Sequence, residues 1–345
     1  MCGFRISRLS ILRDSVRTVL CAMDDYAAMH RRPRRKDGGD NVSVRAELVR
    51  LGTRWLIKRR NRHETAEQTR QRLRSIEALC PRPPASTTIT SVNAGTVMAD
   101  RVTTPASHLN RHVLYLHGGG YRAGAPTYYR HLTWRIACAA RASVVAIKYR
   151  LAPEHPFPAA LEDSISAYRW MMGQGADPRQ CAVIGDSAGG GLALAMLLKL
   201  RDDGYRVPAA AVALSPWTDL ALTGASLHRN ARSDPMLNAD ELPSLAADYL
   251  AHADPRSPYA SPLYGDPLGL PPVLIQVGSD EILRDDAERM ASKLRSAGCR
   301  VELEIWRRMP HAWHLFVPVL PEAHRAIQRI GDFIRREIGG VASTA

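Results

Sequence analysis

The sequence predicts an α/β fold, a mostly parallel central sheet with helices on both faces, and three observations predict it. From Thr87 onward, short continuous apolar runs alternate with helical stretches, the pattern of strands buried on both faces. One such strand, Cys181-Ala182-Val183-Ile184, turns through Gly185-Asp186-Ser187-Ala188-Gly189-Gly190 straight into the helix-forming run Leu192–Leu198. Finally, acidic residues and then His311 follow that serine far along the chain, beyond later strands.

The elements follow in order. Residues 1–30 are loosely amphipathic and end in Arg31-Arg32-Pro33-Arg34-Arg35-Lys36, so residues 1–40 read as a basic extension, either a linker or disordered. Val44, Leu48, Leu51 and Trp55 recur at helical spacing, as do Leu73, Ile76 and Leu79, which predicts two amphipathic helices closed by Cys80-Pro81. Strands are expected at 88–92 and 96–99, joined by Asn93-Ala94-Gly95, then at 112–116, running into His117-Gly118-Gly119-Gly120. A helix over 128–140 precedes a strand at 143–147, and a helix over 159–172 precedes the serine strand. Beyond the helix at 188–202 come strands at 211–214, 273–277 and 300–306, with helices at 285–297 and 322–338. Between Thr218 and Pro258 the alternation breaks for some forty residues, with one helix at 239–250. That is long for a connection and reads as an insertion with its own task.

Composition narrows the function. The formal net charge of the 345 residues is +13, but residues 1–80 carry +10 of it and the remainder is close to neutral. A basic arm on a neutral body argues against nucleic-acid binding, and no aromatic-basic motif supports it. The six cysteines are scattered without a C-x-x-C pair, so neither a disulfide framework nor a metal site is implied. Arg13, Asp14 and Arg17 interrupt any signal-peptide core, and no run approaches a membrane span. A cytoplasmic protein is the expectation.

A strand that bends sharply into a helix through G-x-S-x-G lifts its serine hydroxyl clear of the sheet. Such a hydroxyl is a weak nucleophile and needs a base held by a carboxylate. His311, in Met309-Pro310-His311-Ala312-Trp313-His314 after the last strand, is the candidate base, with His314 its rival. Asp280 and Glu281 both stand at the end of the strand at 273–277, and only one of two adjacent side chains can face the histidine. Asp285 and Asp286 read as caps of the following helix. Asp186 reads as a structural hydrogen-bonder. The glycines after His117 expose backbone N–H groups suited to a developing oxyanion, and Ala188 N–H, next after the serine, adds another. The runs 149–157 and 215–219 read as rigid loops bracing the site.

His117-Gly-Gly-Gly, Tyr149-Arg-Leu-Ala-Pro-Glu, Gly185-Asp-Ser-Ala-Gly-Gly and Met309-Pro-His together resemble the bacterial hormone-sensitive-lipase family of esterases, over about residues 42–340. The resemblance implies an α/β-hydrolase fold, with core segments 86–218 and 258–340 and a helical cap from 41–85 and 219–257. It implies catalytic Ser187, Glu281 and His311, with Gly119, Gly120 and Ala188 as the oxyanion hole. The family's D-P-L-x-D acid position falls on Glu281, followed by Leu283 and Asp285, so this chain offers glutamate there and Asp280 stays the alternative. The implied function is short-chain carboxylic ester hydrolysis through an acyl-enzyme, needing no metal or organic cofactor. Lactone hydrolysis and N-acetyl or amide deacetylation use the same machinery. A receptor that binds without cleaving is the reading from another class, and the presence of His311 argues against it. The expected partner is a small ester, and the chain is compatible with a homodimer.

Overall fold

The structure, a computed structural model, describes residues 42–58, 64–77 and 80–339. The extension at 1–40 and the predicted helical position Leu79 lie outside the described residues.

Among the described residues the sheet has eight strands: β1 Thr88–Ala94, β2 Val97–Thr103, β3 His108–Leu116, β4 Ala142–Ile147, β5 Cys181–Asp186, β6 Ala210–Leu214, β7 Val273–Gly278 and β8 Val301–Trp306. Their order is β1-β2-β4-β3-β5-β6-β7-β8. β2 runs antiparallel to both its neighbours, and every pair from β4 onward is parallel. The parallel strands β4 to β7 are buried along their whole length or nearly so, which is why they read as unbroken apolar runs. β3 begins earlier than expected, because His108 already pairs with Ala142 of β4, ahead of a register shift between His108 and His112.

Helices α3 Pro126–Ala140 and α9 Pro321–Gly339 pack on one face of the sheet. On the other lie α4 Ala159–Gly173, α5 Ala188–Asp202 and α8 Arg284–Ser296. Crossover helices on both faces put all C-terminal ends of the parallel strands along one edge, where open α/β sheets hold their sites.

Two further groups of helices gather at that edge. From the N-terminal part come α1 Val44–Thr53, extended by a π-helical turn at Arg54–Lys58, and α2 Ala66–Glu77. From the insertion come α6 Ser226–Arg229 and α7 Leu242–Leu250. The helix expected over 239–250 is split, with a 3₁₀ turn at Ala239–Glu241 before α7, since Pro243 fits the first turn of a helix and not its interior. In α1 the apolar stripe turns away from the core. Val44 and Leu51 are 77% and 63% exposed, whereas Ala46, Arg50 and Thr53 form the buried side. Ala46 joins the apolar core on that side, and the longer-reaching ties are polar.

Candidate active site

At the elbow, Ser187 adopts φ 55° and ψ −123°, a backbone state that costs a side-chain-bearing residue free energy. Neighbouring backbone holds it there: Ser187 N donates to Leu214 O at 2.8 Å, and Trp217 N donates to Ser187 O at 3.0 Å. The bend closes only because of glycine. A Cβ on Gly185 would lie 2.0 Å from Gly189 O, and one on Gly189 would lie 2.1 Å from Leu116 O.

The loop after β8 brings His311 across the strand ends. Its Nε2 lies 2.8 Å from Ser187 Oγ and its Nδ1 2.8 Å from Glu281 Oε2. A proton on Nδ1, donated to the carboxylate, leaves Nε2 free to accept from the serine hydroxyl. Glu281 is fully buried at the end of β7, and its other oxygen, Oε1, accepts from Gly278 N at 2.5 Å and Ser215 Oγ at 2.7 Å. Ser215 Oγ also accepts from Ala312 N at 3.1 Å, so one hydroxyl fixes both the carboxylate and the histidine loop. The insertion adds Asn230, whose Nδ2 donates to Glu281 O, and Asp234, which accepts from Ile282 N. Burial opposes charge on His311, but the hydrogen bond and charge of Glu281, aided by Asp234 and Asp186, outweigh it and raise the imidazole above its ordinary value.

Asp280 points elsewhere, to Arg50 Nη1 at 2.8 Å. His314, the rival base, faces Gln276 Oε1 at 2.7 Å, and burial pushes it down to about 3. Asp285 and Asp286 depart from the expected caps. They reach sideways into the insertion, Asp285 to Ser226 N and Asp286 to the N–H groups of Thr218 and Asp219, because those amides are buried against α8 and need acceptors.

The glycine loop is shaped from beneath by Asp186, whose Oδ1 accepts from Tyr115 Oη at 2.7 Å and Gly118 N at 2.9 Å. Tyr149 Oη donates to His117 O, and the His117 ring stacks between Tyr149 and Tyr129. Gly119 and Gly120 both take positive φ, 115° and 62°, and among the described residues neither N–H has an intramolecular partner. The loop begins against the nucleophile, since a Cβ on Gly118 would lie 3.1 Å from Ser187 Cβ, and against the head of α5 at Gly189, a setting whose local field suits a negative oxygen. From above, α7 grips three consecutive residues. Leu245 sits over Gly120, 3.2 Å from where a Cβ would stand. Tyr249 stacks on Tyr121 at 3.6 Å, and Ser244 and Asp248 hold Arg122. The loop at 149–157 joins in: Glu154 binds Arg70 of α2, whose Nε also donates to Arg122 O.

Sequence reasoning placed Ser215 in a loop bracing the site without its specific partners, and missed Asp234, Asn230, Leu245 and Arg50. Ser215 carried a signal, since it ends the strand beside the nucleophile's. The others lie in helical or loop segments whose facing partners only the folded chain supplies. Among the described residues no group of three or more His, Cys, Asp or Glu is placed to hold a metal ion. None of the described helices is long and apolar enough to cross a membrane.

A family profile described as the alpha/beta hydrolase fold matches residues 113–315. An acetyl-hydrolase of Streptomyces hygroscopicus is 49% identical over 235 residues, 68% of this chain and 79% of that protein. The carboxylesterase/phospholipase LipF of Mycobacterium tuberculosis is 37% identical over 265 residues, 74% of this chain and 70% of its own. A crystal structure of an esterase from the bacterial hormone-sensitive lipase family superposes with a TM-score of 0.83 at 41% identity, covering 87% of this chain and 100% of the other.

Proposed function

The chain belongs to the α/β-hydrolase fold family, in its bacterial hormone-sensitive-lipase branch of carboxylic ester hydrolases, and from that premise we propose that it cleaves short-chain esters through a covalent acyl-serine. One observation carries the proposal: a continuous line from Ser187 Oγ through His311 to Glu281 Oε2, each step 2.8 Å. His311 Nε2 takes the Ser187 proton as Oγ attacks the ester carbonyl. Gly119, Gly120 and Ala188 N–H groups donate to the resulting oxyanion, whose charge exists only near the transition state, so their effect falls on kcat. The protonated imidazole, steadied by Glu281, then gives its proton to the departing alkoxide. Water repeats the sequence on the acyl-serine and releases the acid. In this reading the described residues within 41–85, together with 219–257, form the cap over a core made of 86–218 and the described part of 258–340.

Leu245 over Gly120 favours a small acyl group, and the relative from Streptomyces, named an acetyl-hydrolase, agrees with the short end of the range. Among the described residues Cys80, Cys138, Cys181 and Cys299 are free thiols, in keeping with a reducing, cytoplasmic setting. The test is hydrolysis of p-nitrophenyl acetate and butyrate by the wild-type chain and Ser187→Ala. The variant is expected to lose on the order of 10⁴-fold or more in kcat. Equal rates would reject the nucleophile.

A further inference from the structure

Asp280 lost the contest for His311, yet it is no spare carboxylate. Arg50, 9% exposed on the buried side of α1, spans two loops with one nitrogen: Nη1 donates to Asp280 Oδ2 at 2.8 Å and to Arg308 O at 3.0 Å. Asp280 immediately precedes Glu281, and Arg308 lies three residues before His311. Glu47, one turn earlier on α1, accepts from Arg308 Nε and Nη2 at 2.6 and 2.9 Å. Ser279 closes the ring, since its Oγ donates to Asp280 Oδ1 at 2.7 Å and accepts from Arg308 N at 2.9 Å.

We propose that Arg50 and Asp280 are a positioning pair, through which the cap helix α1 fixes the loop of Glu281 against the loop of His311. The proposal rests on the serine-hydrolase reading of the same site. A helix that needed only to be held in place has other ties that avoid those loops. Ser43 N and Oγ donate to Glu322, and Arg54 Nη2 donates to Arg232 O. The charged residues Glu47 and Arg50 instead both land on the acid and base loops. A guanidinium whose Asp280 partner is only 19% exposed is weakly screened, so the tie is stiff. Seating the cap and setting the acid–base distance therefore become one event.

The test combines kinetics on p-nitrophenyl butyrate with the low-field proton resonance of His311 Nδ1–H, assigned by its loss in His311→Ala. Arg50→Ala and the near-isosteric Asp280→Asn are each expected to lower kcat about 10- to 100-fold, the scale of a misplacement near 1 Å. KM should stay within about twofold, and the double variant should be no worse than either single one. Arg50→Lys keeps the charge and should recover part of the loss. The low-field proton should move upfield in the impaired variants. The acid limb of kcat/KM should move to lower pH, because His311 then faces Asp234 and Asp186 with a looser Glu281. Arg54→Ala, which cuts a tie to neither loop, should keep wild-type kcat. Folded Arg50→Ala and Asp280→Asn proteins with wild-type kcat and an unmoved resonance overturn the proposal, as does a loss confined to KM or additive in the double variant. If Arg50→Ala does not fold, Asp280→Asn and Arg50→Lys decide. A wild-type chain that hydrolyses no ester refutes the serine reading instead, and the resonance still tests the pair.

Discussion

His311 sits where an imidazolium is costly, almost wholly out of water, and still binds its proton more tightly than a free histidine does. Burial pulls its pKa down, but the carboxylate on Nδ1 together with the charges of Asp234 and Asp186 more than offsets that. Glu281 shows the reciprocal effect: burial raises it, and His311 works against the rise. The sign of the pH dependence follows. A raised pKa keeps Nε2 protonated to higher pH, so the base form appears later and activity is lost as pH falls through a limb above the ordinary 6.5. A profile of kcat/KM between about pH 5 and pH 9 reads this directly, and a limb at or below 6.5 contradicts it. Glu281→Gln removes the charge and the acceptor together. It should cost on the order of 10⁴-fold in kcat, well beyond the loss from Asp280→Asn. The reverse order would move the acid's role to Asp280.

Each functional loop here is held by an element that the sequence separates from it by many residues. α7 is the clearest case, because it contacts Gly120, Tyr121 and Arg122 with side chains from two successive turns. Leu245 alone among these is an apolar side chain left half-buried and set directly over an oxyanion glycine. Its truncation should lengthen the acyl chain accepted and leave the chemistry intact. For Leu245→Ala the ratio of kcat/KM on p-nitrophenyl octanoate to that on butyrate should rise about tenfold or more, the scale of a methylene or two in an apolar pocket. An unchanged ratio places the acyl group away from α7. The elements themselves were readable because burial on both faces of β4 to β7 leaves unbroken apolar runs, and because the elbow admits only glycine around Ser187. The stripe Val44-Leu48-Leu51-Trp55 was equally readable as a helix but silent as to its buried side, where Ala46 joins the apolar core and ion pairs of Glu47 and Arg50 tie α1 to the site loops. Periodicity reports that a face exists; it carries no information on what the opposite face binds.

Across the whole molecule, the insertion is moored to the core by a buried acidic pair that spacing could not disclose, since Asp219 and Asp286 lie 67 residues apart. Asp219 is buried, which opposes its charge, yet Thr223 and Arg289 more than make up the difference and its pKa is lowered. Asp286 lacks such help. Burial and the charge of Asp219 push it up to about 7, although Thr218 and Asp219 N–H groups and Arg289 pull the other way. The mooring is thus strongest when Asp286 holds a proton. Between its ordinary 3.8 and about 7 the folded chain binds a proton that the unfolded chain has lost, so stability falls as pH rises across that window and levels off above it. The full effect is at most about 4 kcal/mol, three pH units at 1.36 kcal/mol each. Asp286→Asn cannot ionise and keeps an acceptor for the two amides, so its melting temperature should lose this slope. The difference in Tm between variant and wild type should therefore be more favourable to the variant at about pH 8 than at about pH 5. A difference that is constant with pH would mean that Asp286 stays charged throughout, and that Arg289 neutralises both carboxylates at once.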